Sequence, residues 1–189
     1  MEKTHQLVAV DTVISVNCKL YDAQNNPITE EVVFDYLHGG YGDILEKLEE
    51  ALSGKSLGHK AVVPLEPEDA FGQYDPELLR VAGRDQFEPD IAEGMFFVEE
   101  GEDDQEERLY SITDVTDEAV IMDANHPLAG MALRFELTVI AIRAATAQEL
   151  QQGSAFLLDA SDEDSADLRN FRKNWMTIDL NPNLKRTIH

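Results

Sequence analysis

The sequence has a single cysteine and few basic residues. Cys18 is alone among 189 residues, which excludes an intramolecular disulfide and a cysteine-rich zinc site. The 15 lysines and arginines are outnumbered by 38 acidic residues, and the formal net charge is −23. Nucleic acids and anionic membrane surfaces are bound by clustered basic residues. We therefore expect neither a nucleic acid nor a membrane as a partner.

Long hydrophobic runs and a leader segment are also missing. No stretch approaches the roughly 18 apolar residues of a transmembrane helix. Residues 1–13 contain neither a continuous apolar region nor a small-residue cleavage site. The apolar share of 43% is nevertheless enough for a packed core. These features predict a soluble, cytoplasmic, folded protein.

Motifs of the common catalytic classes are absent as well. The chain contains no Gly-rich phosphate loop, no G-x-S-x-G elbow and no H-E-x-x-H. Its five histidines lack the spacing of metal ligands, and most of them neighbour Gly, Pro or a chain end, which predicts surface loops. Cys18 is interpreted as a small buried hydrophobe rather than a reactive thiol. We therefore predict no metal and no cofactor.

The acidic charge is concentrated in one part of the chain. Residues 76–123 contain 16 acidic and three basic residues, a net charge of −13. Such a composition shift predicts a separate module inserted into a host domain. The most acidic stretch, EEGEDDQEE at 99–107, is interpreted as a solvated loop tip. Carboxylates without fixed geometry bind cations only weakly.

Alternation of apolar and polar residues predicts strands in the host domain. These strands are expected at 14–20, 32–37, 60–65 and 133–141. Pro64 cannot donate a ladder hydrogen bond, so its strand is expected at an edge or a bulge. Ile140 breaks the polar face of the last strand, which predicts that this strand is covered on both sides near its end. Within the module, strands are predicted at 95–98, 109–115 and 119–122.

Three short helices are predicted outside the module. Asp43 and Glu46 have the spacing of a capping box, and the apolar pattern after them predicts a helix of about nine residues that lies on a sheet. Thr146 and Glu149 have the same spacing before a very short helix. Apolar residues at helical spacing indicate a further helix near 168–175.

Several short motifs, found in register, carry a resemblance to a known family. They are FDYLHG at 34–39, the pattern Leu-Glu-x-Ala-Leu at 48–52, AFGQYD at 70–75, NHPLAG at 125–130 and Ala-Ile-Arg at 141–143. In their order and spacing, residues 5–150 resemble the SlyD-type branch of the FK506-binding-protein (FKBP) prolyl isomerases. The predicted module lies where that family has an inserted chaperone domain.

The resemblance implies an α+β, β-rich fold. An FKBP-like antiparallel half-barrel sheet would wrap around a short helix, with an inserted small β-rich (insert-in-flap) domain and a partly helical C-terminal extension. The implied isomerase domain comprises residues 1–75 plus 124–145, the insert-in-flap chaperone domain 76–123, and the extension 146–189. Many family members end in a nickel-binding tail rich in His and Cys, whereas residues 144–189 contain one His and no Cys. A metallochaperone role is therefore the least favoured interpretation.

The resemblance also implies peptidyl-prolyl cis–trans isomerisation. Carried across residue by residue, the family's pocket falls on Cys18, Glu30, Leu37, Ile44, Leu45, Leu48, Phe71, His126, Leu128 and Phe135. The apolar members would form the wall, the Ile44–Leu45 backbone would hydrogen-bond a substrate carbonyl, and His126 and Leu128 would lie in a loop over the pocket. Such a reaction requires no nucleophile and no proton shuttle.

Three of these positions depart from the usual family pattern. Cys18 and Phe71 stand where the family usually has Tyr, and Glu30 stands where it has Asp. If two lost hydrogen bonds of roughly 0.5–1.5 kcal/mol each act in the transition state, the rate falls by about 5- to 150-fold. We therefore expect reduced isomerase activity. The alternative is a holdase chaperone with weak or no isomerase activity.

The chaperone module would bind substrate through apolar side chains, about half of which must form its own core. The candidates are Met95, Phe96, Phe97, Val98, Leu109, Tyr110, Ile112 and Met122. The expected partners are unfolded or nascent polypeptides that contain X–Pro bonds. The oligomeric state stays open, and the C-terminal extension could dock on its own domain, on the module or on a second copy.

Overall fold

The computed structural model describes residues 6–99 and 108–155, which divide into two compact units. The second unit comprises residues 72–129 and is inserted between the two halves of the first. Each unit is built on a four-stranded antiparallel sheet, and within the described residues the only α-helices are two short ones. The predicted β-rich α+β, FKBP-like fold class is confirmed. The helix predicted near residues 168–175 lies outside the described residues.

The sheet of the first unit has the strand order β2-β1-β8-β3. Its strands are β1 (Thr12–Asp22), β2 (Val32–His38), β3 (Lys60–Leu65) and β8 (Leu133–Ala144). Strands β1 and β8 pair along their whole length, from Thr12 opposite Ala144 to Asp22 opposite Leu133. Their alternating apolar residues form the core, because successive side chains of a strand point to opposite faces. Strand β3, which contains Pro64, lies at the edge, as predicted.

A β-bulge interrupts the pairing of β1 with β8. Ser15 pairs with Ala141, but the next residue, Val16, pairs with Val139. Ile140 is therefore the extra residue on β8, and it is 43% exposed. The prediction that this end of the strand is covered on both sides was wrong, since the bulge leaves Ile140 unpaired on the outer surface.

Helix α1 (Glu46–Leu52) lies against β3 and fully buries Leu48 and Leu52. It has seven residues rather than about nine. The predicted capping box was wrong, because Leu45 takes the N-cap position and makes no side-chain cap bond. Asp43 instead accepts a hydrogen bond from the N–H of Leu37 at 2.8 Å.

Helix α2 (Ala147–Gln152) follows β8 and begins with the predicted capping box between Thr146 and Glu149. The Glu149 carboxylate also pairs with both terminal nitrogens of Arg143, at 2.8 and 2.5 Å. Gly153 ends the helix with φ 69°, a left-handed conformation that glycine adopts without strain. This helix is thereby bound at its N-terminus to the end of β8.

The sheet of the second unit has the strand order β4-β7-β6-β5. Its strands are β4 (Leu79–Gly83), β5 (Phe96–Glu99), β6 (Arg108–Val115) and β7 (Ala119–Asp123). Its core consists of Tyr110, Ile112, Val120 and Met122. The last three strands lie close to the predicted ones, whereas β4 was not predicted. No helix among the described residues is long and apolar enough to cross a membrane.

The two ends of the second unit are joined by a side chain. The Asn125 carboxamide accepts a hydrogen bond from the N–H of Asp75 and donates one to its carbonyl, both at 2.8 Å. Asp123 in turn accepts hydrogen bonds from the backbone and side chain of Asn125. The chain therefore enters and leaves this unit at neighbouring points.

Candidate functional site

The apolar residues predicted to line the pocket lie in the first unit and differ in exposure. Leu37 on β2, Leu48 on α1 and Phe135 on β8 are 0% exposed, so they belong to the core. Ile44 is 6% exposed, and Leu45 and Phe71 are half-buried. Of these six residues, a substrate could therefore reach mainly Phe71 and the two residues that precede α1, Ile44 and Leu45.

The two non-apolar candidates of the same unit have contrasting surroundings. Cys18 on β1 is buried between Val32 of β2 and Leu137 of β8, and burial raises the pKa of its thiol to about 12. The thiol is therefore neutral at physiological pH. Glu30 is exposed in the connection that precedes β2.

His126 and Leu128 belong to the second unit and are held in a tight turn. His126 Nδ1 accepts a hydrogen bond from the N–H of Leu128 at 3.0 Å, and the His126 carbonyl accepts one from the N–H of Ala129 at 2.9 Å. Because Nδ1 is an acceptor, the neutral ring carries its proton on Nε2. The turn thus fixes both the tautomer and the orientation of the ring.

Two carboxylates that sequence reasoning did not assign to the site bind the loop before α1. Asp43 accepts a hydrogen bond from Leu37 at the end of the edge strand β2. Glu49 of α1 accepts hydrogen bonds from the N–H groups of Gly39 and Gly40 at 2.7 and 3.0 Å. A carboxylate next to an edge strand satisfies backbone donors that have no ladder partner. The role of Asp43 was missed in the sequence, because the spacing of Asp43 to Glu46 matches a capping box.

A buried polar group lies beneath the same loop. His38 is 4% exposed, with its Nδ1 3.2 Å from the Tyr36 hydroxyl and 3.6 Å from Glu49 Oε1. Burial lowers the pKa of His38, and the nearby Glu49 charge opposes this effect in part. The prediction of a surface loop was wrong for His38, because it is the last residue of β2 rather than part of the following turn.

The burial of His38 makes stability depend on pH. Its pKa is lower in the folded chain than in the unfolded one, so the unfolded state binds more protons once the pH falls below about 6.5. We expect the free energy of unfolding to decrease as the pH is lowered from 7 to 5, and to decrease less in His38→Gln, which can still hydrogen-bond Tyr36. Urea unfolding at several pH values measures both slopes. Equal slopes for the two proteins would show that His38 does not contribute.

The apolar candidates of the second unit divide into a buried set and an exposed set. Tyr110, Ile112 and Met122 form part of the core. Met95, Phe96 and Leu109 are 42%, 59% and 46% exposed. Phe96 lies on β5, an edge strand of the sheet, and the side chains of Phe97 and Val98 lie outside the described part. Among the described residues, the unit thus presents apolar side chains close to an edge strand.

Metal-binding clusters are absent from residues 6–99 and 108–155. In these ranges no group of three or more His, Cys, Asp and Glu side chains could hold a metal ion.

Comparison with known proteins identifies the family. No family model matches the sequence. The FKBP-type peptidyl-prolyl cis-trans isomerase SlyD of Escherichia coli K12 is 38% identical over 151 residues, which cover 77% of this chain and 76% of that protein. The SlyD of Treponema pallidum is 35% identical over 147 residues, which cover 76% and 82%. That of Vibrio cholerae is 37% identical over 127 residues, which cover 66% and 62%.

These similarities extend over most of the chain. They also agree with the motifs that suggested the resemblance. The chain therefore belongs to the SlyD family of FKBP-type peptidyl-prolyl cis–trans isomerases.

Proposed function

We propose that this chain catalyses cis–trans isomerisation of X–Pro bonds in unfolded polypeptides and thereby assists their folding. The observation that carries the proposal is the 38% identity to an FKBP-type prolyl isomerase over 77% of the chain. The proposed isomerase domain comprises residues 1–75 plus 124–145, and residues 76–123 form the proposed chaperone domain. The extension begins with α2.

The proposed catalysis depends on removing water from the substrate amide. Amide resonance opposes rotation by about 18–20 kcal/mol and makes the planar amide more polar than the twisted one. An apolar site therefore favours the twisted transition state over the planar ground state. Leu37, Leu48 and Phe135 would form the base of this site, and Leu45 and Phe71 its accessible wall.

Polar groups of the pocket would orient the substrate chain. The family resemblance implies that the backbone at Ile44 and Leu45, where the chain enters α1, hydrogen-bonds a substrate carbonyl. Glu30 remains a proposed pocket residue on the basis of the family resemblance. Since Cys18 is a buried neutral thiol, it would contribute packing rather than charge.

The second unit would hold the unfolded substrate. Met95, Phe96 and Leu109 are exposed, and an edge strand offers unpaired backbone groups to an extended chain. The same exposure favours the second candidate function, a holdase with weak or no isomerase activity. The missing hydroxyl groups at Cys18 and Phe71 point in the same direction.

Restoring one of these hydroxyl groups tests the proposed pocket. We expect the intact protein to accelerate isomerisation of a short proline peptide, and Phe71→Tyr to raise kcat/KM by about 2- to 12-fold, the value of one hydrogen bond of 0.5–1.5 kcal/mol. Phe34→Tyr makes the same chemical change at a half-buried position of β2 outside the proposed pocket. This control should leave kcat/KM unchanged.

The possible outcomes separate the two candidate functions. An intact protein that does not accelerate isomerisation but suppresses aggregation of an unfolded client would be a holdase. An active protein in which Phe71→Tyr lowers kcat/KM, or in which both Tyr variants behave alike, would contradict the placement of Phe71 in the pocket.

A further inference from the structure

The Asp43 carboxylate connects its own loop to two other segments of the first unit. Its Oδ2 accepts hydrogen bonds from the N–H of Leu37 at 2.8 Å and from the N–H of Ala155 at 2.9 Å. Its Oδ1 accepts a hydrogen bond from the Ser154 hydroxyl at 2.9 Å. One carboxylate thus binds the end of β2 and the segment after α2, which lies 111 residues further along the chain.

The segment that reaches Asp43 is itself fixed to the sheet. Glu149 is 2% exposed and binds Arg143 near the end of β8 through two hydrogen bonds. The left-handed Gly153 turns the chain after α2, and the N–H of Ser154 bonds to the Glu149 carbonyl. Residues 143–155, which we call the clasp, therefore run as one bonded path from β8 to Asp43.

The position of Asp43 in the sequence links the clasp to the proposed pocket. Asp43 directly precedes Ile44 and Leu45, and its partner Leu37 is one of the buried pocket residues. Without the clasp, the Asp43 carboxylate would lose the hydrogen bonds from Ser154 and Ala155 and keep the one from the N–H of Leu37. The clasp thus adds two hydrogen bonds that hold the loop in one place.

We propose that Asp43 is a positioning residue of the isomerase site, and that the clasp holds the Ile44–Leu45 backbone in the place where it binds the substrate carbonyl. This proposal rests on the proposed function. Its consequence is that residues 146–155 of the C-terminal extension belong functionally to the isomerase domain. Because the loop would contribute to substrate binding rather than to twisting of the amide, its loosening should raise KM more than it lowers kcat.

Two substitutions at Asp43 separate positioning from charge. Asp43→Ala removes the hydrogen bonds to Leu37, Ser154 and Ala155, and we expect KM for a short proline peptide to rise by about tenfold or more, because small displacements of binding groups are costly. Asp43→Asn can keep the geometry: its amide oxygen can accept from Leu37 and Ala155, and its NH2 group can donate to Ser154 Oγ. We therefore expect Asp43→Asn to retain most of the wild-type KM.

Asp22→Ala is the matched control. The Asp22 carboxylate also accepts three hydrogen bonds, from the N–H groups of Gln24 and Asn26 and from the Asn26 side chain, in the turn after β1. Asp22→Ala should therefore remove a similar number of hydrogen bonds without raising KM. Amide hydrogen exchange of Leu37 and Ala155 provides a second measurement, since both should lose protection in Asp43→Ala only.

Each outcome has one interpretation. A raised KM in Asp43→Ala, with Asp43→Asn and Asp22→Ala close to wild type, supports the proposal. An active wild type whose KM is unchanged in Asp43→Ala overturns it, and so does an equal rise in Asp22→Ala. A wild type without isomerase activity would instead overturn the proposed function, while the exchange data would still report whether the clasp exists.

Discussion

Replacement of residues 76–123 by a short loop is expected to abolish most catalysis of proline-limited protein refolding, with little effect on a short proline peptide. In the intact protein, the second unit would bind the unfolded client. A proline of that bound client then meets the proposed isomerase pocket within the same complex. Such linkage raises apparent affinity by about 10²- to 10⁴-fold. We therefore expect kcat/KM for a refolding protein to fall by about 100-fold. For the short peptide, kcat/KM should stay unchanged, because the peptide is too short to bind both units at once.

The structure indicates where the replacement should be made. Asn125 bridges the backbone of Asp75 through two hydrogen bonds of 2.8 Å, so the two cut ends lie close together. A loop of a few residues can join them. The first unit retains its complete sheet, since β1, β2, β3 and β8 all lie outside the deleted range.

Point variants of the intact chain control for the deletion. Phe96→Ser alters an exposed apolar side chain on the edge strand β5, whereas Val81→Ser alters one that is 67% exposed on the opposite edge strand β4. Only Phe96→Ser should slow catalysed refolding. Full refolding activity in the deletion variant would contradict client capture by this unit. Loss of aggregation suppression alone, with no isomerase activity in either form, would identify a holdase.

The second large effect is expected for Phe135→Ala. Phe135 is 0% exposed on β8, opposite Leu20 of β1 and Val63 of β3. Truncation of a buried Phe leaves a cavity and typically costs about 3–5 kcal/mol. We expect a loss of this size in the free energy of unfolding, measured in urea by a probe of the first unit, together with loss of isomerase activity.

Phe135→Leu is the control for this prediction. It keeps an apolar side chain of moderate size, so the cost should be clearly smaller than that of Phe135→Ala. If Phe135→Leu is stable but has lost isomerase activity, the aromatic ring itself matters to the pocket. A cost below about 1 kcal/mol for Phe135→Ala would contradict the close packing at this position.

Strands with regular alternation could be predicted from the sequence, and interrupted strands could not. The pattern of β1 and of the first part of β8 is strictly periodic because one face of each strand packs on the core. At Ile140 the bulge shifts the alternation by one residue. In the sequence, such a shift looks the same as a strand that is buried on both faces. Strand β4 was missed because its few apolar residues lie next to Arg80 and Gly83, which break the pattern.

The candidate site was less predictable than the fold. Family resemblance supplied its apolar residues, because those residue types are kept in order along the chain. The role of Asp43 depends on Ser154 and Ala155, which are more than 100 residues away, and no local pattern encodes such a contact. His38 appeared to belong to a loop because Gly39 follows it, yet the strand includes it and buries it.

The Asn125–Asp75 bridge has a consequence for the order of folding. Strand β8 must pair with β1 and β3, and 67 residues separate Leu65, the end of β3, from Leu133, the start of β8. If the second unit folds first, its bridged ends lie close together. The flexible connection between β3 and β8 then consists of only the 18 residues outside 76–124. The entropic cost in free energy of closing the loop between β3 and β8 then falls by about 1 kcal/mol. An acidic insertion of this size therefore adds little to the effective contact order of its host, whose sheet can form almost as fast as without it.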